Sequence, residues 1–325
     1  MKNNVCRICG NSYDNLHFNA REMMYGTREE FKYFQCSKCE CLQILNFPIA
    51  MDSYYPTDYY SYIQPQFGGQ NAIKMFIKKQ RTLEAIDGRT LFRSIFSHIF
   101  GPSPVPKWMK GIGLSFTSSI LDVGCGVGHL LLALRQEGFE NLQGVDPFIE
   151  RDIFYENGVE IQKKSIEEID GNFDLIMMNH SLEHIEDQVG TLRTLTNKMK
   201  SGGTLVIRVP TVSSYAWRHY GINWVQLDAP RHFYLHSVKS IHRIASDAGL
   251  AVDKIEYDSN AFQFWASEQY SKDIPMNDMV QSYGYNQEAG LFEEDDIKEF
   301  SKRALILNDN CEGDQACFFL KLKEG

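Results

Sequence analysis

The sequence predicts an α/β fold: a doubly wound, mostly parallel sheet of seven strands with helices on both faces. From Ser119 onward, short apolar segments alternate with segments of helical periodicity, the order of strand, crossover helix and strand. A glycine-rich loop follows the first of these strands and opens a helix, as the first turn of a Rossmann-like domain does. Two CxxC pairs precede this region, so a small metal-binding module is expected before it.

Composition limits the classes of function. The chain has 325 residues, 43% of them hydrophobic, and a formal net charge of −9. This is ordinary for a globular protein with two or three packed units. An acidic protein is a poor match for nucleic acid or anionic lipid, so the expected partner is a small molecule. Without an apolar run of about 20 residues or an apolar signal segment, we expect a cytoplasmic protein with no membrane span; the oligomeric state stays open.

The first 50 residues are expected to form a zinc-binding module. Cys6 and Cys9 make one CxxC pair, and Cys36 and Cys39 make a second after 26 intervening residues. Four thiolates at this spacing suit tetrahedral Zn²⁺, and four protein ligands leave no open position, so the zinc is expected to be structural. A redox site would need one pair only, and core cysteines would not explain the duplicated spacing.

Residues 51–110 are expected to connect this module to the larger domain. They begin with the aromatic segment YYPTDYYSY (residues 54–62), continue with apolar residues at helical spacing in 71–100, and end at GPSPVPKW. Residues 111–325 then form the main domain. Its strand candidates are SILDV, LQGVD, FDLIMMN, GTLVIRVP, AVDKIEYD and ACFFLKLK, and a helix is expected over 237–248.

The segment of about 260–314 is long for a connection. Its helical pattern near 295–307 suggests an insertion that covers the active site.

The loop LDVGCGVGHL indicates a cofactor that lies directly on the main chain. Glycines at alternate positions leave no side chain between loop and ligand; they are Gly124, Gly126 and Gly128. Dinucleotide enzymes use a similar turn, so the loop alone does not decide between cofactors. Asp122, just before the first glycine, would attract the ammonium of a methionine moiety and repel a pyrophosphate. We therefore favour the sulfonium methyl donor S-adenosylmethionine.

Further cofactor contacts are expected at the ends of the next strands. Asp146, at the end of LQGVD and 24 positions after Asp122, is placed to accept hydrogen bonds from a ribose diol. The alternative role for Asp146 is that of a turn residue before Pro147. Ser165 and Ile166 fall near the end of a third strand, where they would contact adenine.

The sequence resembles the class I S-adenosylmethionine-dependent methyltransferases over residues 119–210, where LDVGCGVGHLL, LQGVDP, FDLIMMNHSLEHIED and SGGTLVIRVP follow one another. The resemblance implies that Gly124 and Gly126 hold the methionine part and Asp146 the ribose. It also implies that Asn179 lines the cofactor site near the transferable methyl group.

Two clusters offer catalytic groups. NHSLEHIED follows the fourth strand, where α/β folds bind ligands, and contains His180, Glu183 and His184. His184 is the leading candidate for the base that takes the acceptor's proton, against the alternative of a structural histidine. The second cluster, LDAPRHFYLHS, offers His232 as a base and Arg231 as a partner for a phosphate or carboxylate; a surface ion pair is the alternative for this arginine.

The order of zinc module, aromatic segment and PRH cluster is similar to that of methyltransferases of bacterial sugar and glycan pathways, including nucleotide-sugar carbon-methyltransferases. This resemblance implies that Tyr59 and Tyr60 reach the acceptor, although packing would explain them equally. The carbon-methylating enzymes have a tyrosine and a glutamate before the histidine of the second cluster, where this chain has residues 228–231, DAPR. We therefore expect O-methylation of a sugar, sugar nucleotide or phosphorylated small molecule in surface-glycan biosynthesis.

Three alternatives stay open at this stage: a sugar carbon-methyltransferase, a zinc-ribbon binding protein whose methyltransferase-like domain is not catalytic, and a nicotinamide-dependent sugar oxidoreductase.

Overall fold

The computed structural model of the chain describes residues 4–55, 72–88 and 91–323. Its contacts divide the chain into two compact units. Unit I consists of Met1–Tyr55, Leu182–Val189 and Arg208–Phe318, and unit II of Pro56–Ser181, Gly190–Ile207 and Phe319–Gly325.

The described residues form twelve strands and eight α-helices. The strands are β1 Leu16–Arg21, β2 Glu30–Gln35, β3 Leu42–Ile44, β4 Ser119–Val123, β5 Asn141–Val145, β6 Ile153–Phe154, β7 Glu160–Gln162, β8 Phe173–Asn179, β9 Met199–Pro210, β10 Tyr234–Leu235, β11 Leu250–Tyr257 and β12 Gln315–Leu322. The helices are α1 Ala72–Asp87, α2 Leu91–Phe100, α3 His129–Gln136, α4 Gln188–Thr196, α5 Tyr215–Tyr220, α6 Val238–Asp247, α7 Phe262–Ser271 and α8 Glu294–Asp309.

A four-stranded antiparallel sheet in unit I carries the cysteine-bearing segment. Its order is β1-β2-β3-β10, with Tyr33 opposite Ile44 and Leu42 opposite Leu235. These four side chains are almost completely buried, so the small sheet has an apolar core of its own. Residues from the amino-terminal and the central parts of the sequence therefore form one structure.

The carboxyl-terminal part of unit I follows the expected pattern. Helix α6 begins after Ser237, whose Oγ accepts a hydrogen bond from the Ser240 backbone N–H at 3.0 Å, and ends before Gly249 at a φ of +81°. Helix α8 confirms the helical pattern expected near residues 295–307.

The eight-stranded sheet confirms the mostly parallel central sheet. Its order is β11-β12-β9-β8-β4-β5-β7-β6. In unit II, β4 pairs in parallel with β5 and β8, and β5 in parallel with β7. The sheet has one strand more than expected, because the two-residue strand β6 pairs antiparallel with β7. A strand this short has no alternation that a sequence pattern could show.

The helical segment expected in residues 71–100 is confirmed as α1 and α2. Among the helices that the structure describes, none combines the length and the apolar character that a membrane crossing requires.

Candidate functional site

The glycine loop of unit II lies between β4 and α3. Gly124, Gly126 and Gly128 have φ angles of +70°, +55° and +83°. A Cβ on Gly124 would lie 2.6 Å from Cβ of Ser181, and one on Gly128 would lie 2.5 Å from Cδ1 of Ile161. The loop thus needs glycine for its backbone conformation and for close packing as well.

Asp146 fixes the shape of this loop. Its Oδ2 accepts a hydrogen bond from the Gly126 backbone N–H, and its Oδ1 accepts one from the Phe148 N–H, both at 2.8 Å. The Val145 carbonyl accepts a further bond from the Gly124 N–H at 2.8 Å. A carboxylate has additional acceptor capacity, so these contacts are compatible with a ribose at Asp146, which stays a prediction.

Asp122 is a buried acid at the end of β4, with 3% of its surface exposed. Its Oδ1 and the Nδ2 of Asn179, at the end of β8, are buried without a hydrogen-bond partner among the residues described. Burial, together with the charge of Asp146, raises the pKa of Asp122 to about 7. The side chain of Asn179 acts in the opposite direction and lowers this pKa, so its amide and the Asp122 carboxyl group lie close together at the end of the two strands.

Ser165 has a local structural role in unit II. It precedes the 3-10 turn Ile166–Glu168, and its backbone N–H donates to Oε2 of Glu168 at 2.8 Å in a capping box. The expected adenine contact of Ser165 and Ile166 stays a prediction. His180, which follows β8, has a φ of +49°, a conformation uncommon outside glycine.

A second cluster lies in unit I and unites three of the residues predicted from the sequence. Glu183 and His184 belong to the 3-10 turn Leu182–His184. The His184 and His232 rings meet edge to face with centroids 4.8 Å apart, and Nε2 of His232 is 4.0 Å from Oε1 of Glu183. Glu183 and His232 are buried, whereas His184 is half-buried. The cluster is therefore accessible from the His184 side.

Main-chain carbonyls fix the orientation of both rings. Nδ1 of His184 is 2.8 Å from the Arg231 carbonyl oxygen, and Nδ1 of His232 is 2.8 Å from that of Gln226. A carbonyl only accepts, so each Nδ1 carries the proton and each Nε2 carries the lone pair of the neutral ring. Burial lowers the pKa of His232 to about 4, with a smaller effect from His184, so this ring is neutral at pH 7.

Arg231 lies in a buried ion-pair network. Its Nε donates to Oδ2 of Asp228 at 2.9 Å, and its Nη2 donates to Oε1 of Glu22 at 2.9 Å. Burial acts to raise the pKa of Asp228, but the charge and hydrogen bonds of Arg231 outweigh it and lower that pKa. The predicted role of Arg231 in acceptor binding stays a prediction.

The aromatic segment contributes a residue that the sequence did not single out. Oη of Tyr55 is 3.1 Å from Nδ1 of His184. Tyr59 and Tyr60, the tyrosines predicted to reach the acceptor, lie outside the described residues. Asp228 and Glu22 were missed as well, and of these only Asp228 had a signal, its place in the DAPRH motif.

The four predicted zinc ligands converge in unit I. Sγ of Cys6 is 3.4 Å from that of Cys39, and Sγ of Cys9 is 3.5 Å from that of Cys36. One ligand atom from each of the four lies within 4.8 Å of the others. Nε2 of Gln43 donates to Sγ of Cys6 at 2.9 Å, as second-layer donors do around metal thiolates.

Comparison with known proteins identifies the family. A family model described as a methyltransferase domain matches residues 86–255, more than half of the chain. The chain belongs to this family of methyltransferases. The glycine loop with Asp122 and Asp146, together with β4 to β9, lies inside the matched region. The prediction of a methyltransferase domain is confirmed.

The curated relatives of this methyltransferase include several O-methyltransferases. A ubiquinone biosynthesis O-methyltransferase of Rickettsia canadensis is 26% identical over 152 residues, which are 42% of this chain and 64% of the relative. One of Stutzerimonas stutzeri is 29% identical over 187 residues, 50% and 77% of the two chains. A malonyl-[acyl-carrier protein] O-methyltransferase of Acetivibrio thermocellus is 37% identical over 95 residues, 26% and 33% of the two.

The chain spans 64%, 77% and 33% of the lengths of these three relatives, which is less than two thirds of two of them. Among solved structures, magnesium protoporphyrin IX methyltransferase from Synechocystis PCC 6803, with S-adenosylhomocysteine bound, is 18% identical. That match has a TM-score of 0.36 and covers 65% of this chain and 92% of that one.

Proposed function

We propose that this methyltransferase transfers the methyl group of S-adenosylmethionine to a hydroxyl oxygen of a small-molecule acceptor. One observation carries the proposal: the glycine loop of the matched domain begins just after a buried acid, Asp122, whose Oδ1 has no partner among the residues described. A buried acceptor without a partner costs about 1 to 3 kcal/mol, which a ligand donor would recover. The ammonium of the cofactor is such a donor.

The residues present fit the cofactor. The glycines of the loop keep side chains away from the main chain, Asp122 offers an oxygen to the ammonium, and Asp146 has acceptor capacity for the ribose. Asn179 offers a buried Nδ2 at the end of the neighbouring strand β8. When bound, the sulfonium supplies an electrophilic methyl group; the chain's own residues orient it and act on the acceptor.

The choice of oxygen is supported by the relatives described above, which are O-methyltransferases by name. It also agrees with the DAPRH motif, which lacks the tyrosine and glutamate of carbon-methylating enzymes. Within this class we propose a sugar or sugar nucleotide as acceptor, on the resemblance of the zinc module and aromatic segment alone. The names of the relatives point to quinone precursors and carrier-bound acids, so an acceptor screen must include these classes too.

We further propose that His184 and His232 act on the acceptor. His184 follows Asn179, at the end of the cofactor-binding strand, by five positions. In both rings the lone pair is on Nε2, which makes Nε2 the atom that can act on a hydroxyl. Asp228, between Arg231 and His232 in the ion-pair network, holds the second ring in a negative environment.

A methyl-transfer assay tests this function. The full chain is incubated with methyl-labelled cofactor and the three acceptor classes, and the labelled product is identified. His184→Ala and His232→Ala are expected to lower kcat by roughly 10² to 10⁴, with little change in affinity for S-adenosylhomocysteine. His242→Ala, which changes an exposed histidine on α6, is the matched control and keeps full activity. Absence of S-adenosylhomocysteine binding to the native chain would refute the proposal.

We also propose that Cys6, Cys9, Cys36 and Cys39 bind a structural Zn²⁺. A tetrahedron with Zn–S bonds of about 2.3 Å has sulfurs about 3.8 Å apart, close to the 3.4 and 3.5 Å of the two sulfur pairs. A hydrogen bond from the Cys39 thiol lowers the pKa of Cys6 to about 5, so this ligand is ready as a thiolate. The metal content of the purified chain, measured by mass spectrometry, tests the assignment.

A further inference from the structure

Glu183, His184 and His232 bring one carboxylate and two imidazoles together away from the cysteine cluster. One ligand atom from each of the three lies within 4.8 Å of the others. We propose that they bind a divalent transition-metal ion. Two imidazole nitrogens and one carboxylate oxygen are a ligand set that zinc and iron(II) share.

The hydrogen bonds of the two rings prepare them for a metal. Ligand histidines in proteins usually donate the proton of the other ring nitrogen to a carbonyl or carboxylate, which fixes the tautomer and ring orientation. His184 and His232 do so through Nδ1, to the carbonyls of Arg231 and Gln226 at 2.8 Å each. This tautomer leaves the lone pair on Nε2, the atom that would coordinate the ion.

The charge balance of the surroundings favours a cation. The carboxylates of Glu22 and Asp228 both pair with the guanidinium of Arg231, and the carboxylate of Glu183 lies near Nε2 of His232. Oδ2 of Asp228 lies 3.9 Å from Nε2 of His232, so its negative potential acts at the nitrogen that would coordinate. A divalent ion bound at this nitrogen would be stabilised by that potential.

The spacing suits an ion after a small adjustment of the side chains. Ligands about 2.1 Å from a tetrahedral ion are about 3.4 Å apart, and Nε2 of His232 is 4.0 Å from Oε1 of Glu183. Three protein ligands leave a fourth position open, and half-buried His184 is where a ligand reaches the cluster. This distinguishes the cluster from the four-cysteine site, which is closed.

The binding site does not depend on the proposed function, because all three ligands lie in unit I and the test below detects the ion without an acceptor. An ion takes the Nε2 lone pair that a base would use. The direct action on a hydroxyl that we propose for His184 and His232 therefore belongs to the ion-free chain, whereas in the ion-bound chain both residues are ligands.

Metal titration of the full chain tests the site. Protein whose cysteine cluster has been loaded with one equivalent of zinc is titrated with Co²⁺ and followed by calorimetry and visible absorption. One equivalent of Co²⁺ is expected to bind in addition to the zinc. Its visible spectrum should show d–d bands but not the charge-transfer band that thiolate ligands give. Glu183→Gln and His232→Ala are expected to weaken this event by roughly a hundredfold or more while they keep the first equivalent. His242→Ala, the exposed control, keeps both.

A variant that still binds the first equivalent of metal is folded. If a variant binds neither equivalent, a zinc anomalous difference map of native crystals is used instead, and a peak at Nε2 of His232 supports the site. Uptake of one equivalent by the native chain, or an unchanged second event in both variants, overturns the site. S-adenosylhomocysteine binding, measured on the same protein, reports separately on the proposed function.

Discussion

Asp122 combines deep burial with a place at the edge of the sheet where a ligand is expected. Burial and the neighbouring charge of Asp146 raise the pKa of Asp122 to about 7, so the acid is largely protonated below that pH in the free protein. A cationic ligand lowers this pKa again, because it stabilises the ionised form. Binding of the cofactor at low pH must therefore release a proton.

The affinity for S-adenosylhomocysteine is accordingly expected to rise as the pH increases from 5.5 to about 7. Well below the pKa of Asp122 this affinity rises by about tenfold per pH unit, and above that pKa it becomes constant. Asp122→Asn, which keeps the shape and cannot ionise, is expected to bind more weakly and without this slope. Calorimetry over the pH series in buffers of different ionisation enthalpy measures both affinity and proton release. A native affinity that is flat over this range contradicts the assignment.

The residues of the two clusters differ in how far sequence could predict them. Asp122, Gly124 and Gly128 are neighbours in one local motif, so strand, turn and ligand contact are predicted together. The partners of the histidines are distant: Glu22 is 209 positions from Arg231, and Tyr55 is 129 positions from His184. No periodicity links such residues, because their contact follows from how the chain segments of unit I pack.

At the scale of the element, the turn between β4 and α3 is the most constrained segment. Gly124→Ala is expected to destabilise the fold by about 2 to 4 kcal/mol, because a positive φ and a contact of 2.6 Å with Ser181 add together. Gly202→Ala is the matched control: its φ is +77° with open space around the new Cβ, so it carries the backbone cost alone.

Ser181→Gly removes the close contact but also the hydrogen bond from Ser181 Oγ to the Val123 carbonyl. It is therefore expected to cost less stability when added to Gly124→Ala than when made in the native chain. Thermal unfolding measures these contributions. It compares the native chain, the single variants Gly124→Ala, Gly202→Ala and Ser181→Gly, and the double variant. Equal destabilisation by Gly124→Ala and Gly202→Ala would show that packing against Ser181 is not a constraint.

Some elements were predicted from patterns of their own, whereas the strands β1, β2, β6 and β10 and the helix α7 were not. The ends of α6 follow from a serine cap and a glycine, and the length of α8 from its periodic pattern. Strands β6 and β10 have two residues each. Strand β10 forms because Tyr234 and Leu235 meet β3, which lies almost 200 positions earlier, and a pattern of two residues cannot predict that.

At the scale of the whole molecule, unit I is assembled from three separate stretches of sequence. Its cysteine cluster joins the chain before β1 to the turn between β2 and β3, and β3 pairs in turn with β10. The Ser237 hydroxyl, at the start of α6, donates to the Cys39 carbonyl at 2.5 Å. The proposed zinc therefore stabilises more of unit I than its own loops.

Removal of this zinc is expected to destabilise a connected part of unit I. This part extends from the cysteine loops through β3 to β10. Without the ion, the two loops lose their crosslink, so the free energy of unfolding falls by several kcal/mol. Hydrogen exchange followed by mass spectrometry, with and without a chelator, is expected to show lost protection in β1 to β3 and at Tyr234 and Leu235. Strands β4 and β5 of unit II are expected to keep theirs. Cys6→Ser should reproduce the loss, and Cys311→Ser, at an exposed cysteine outside the cluster, should not. Protection lost only before residue 45 would confine the effect of the ion to its own loops.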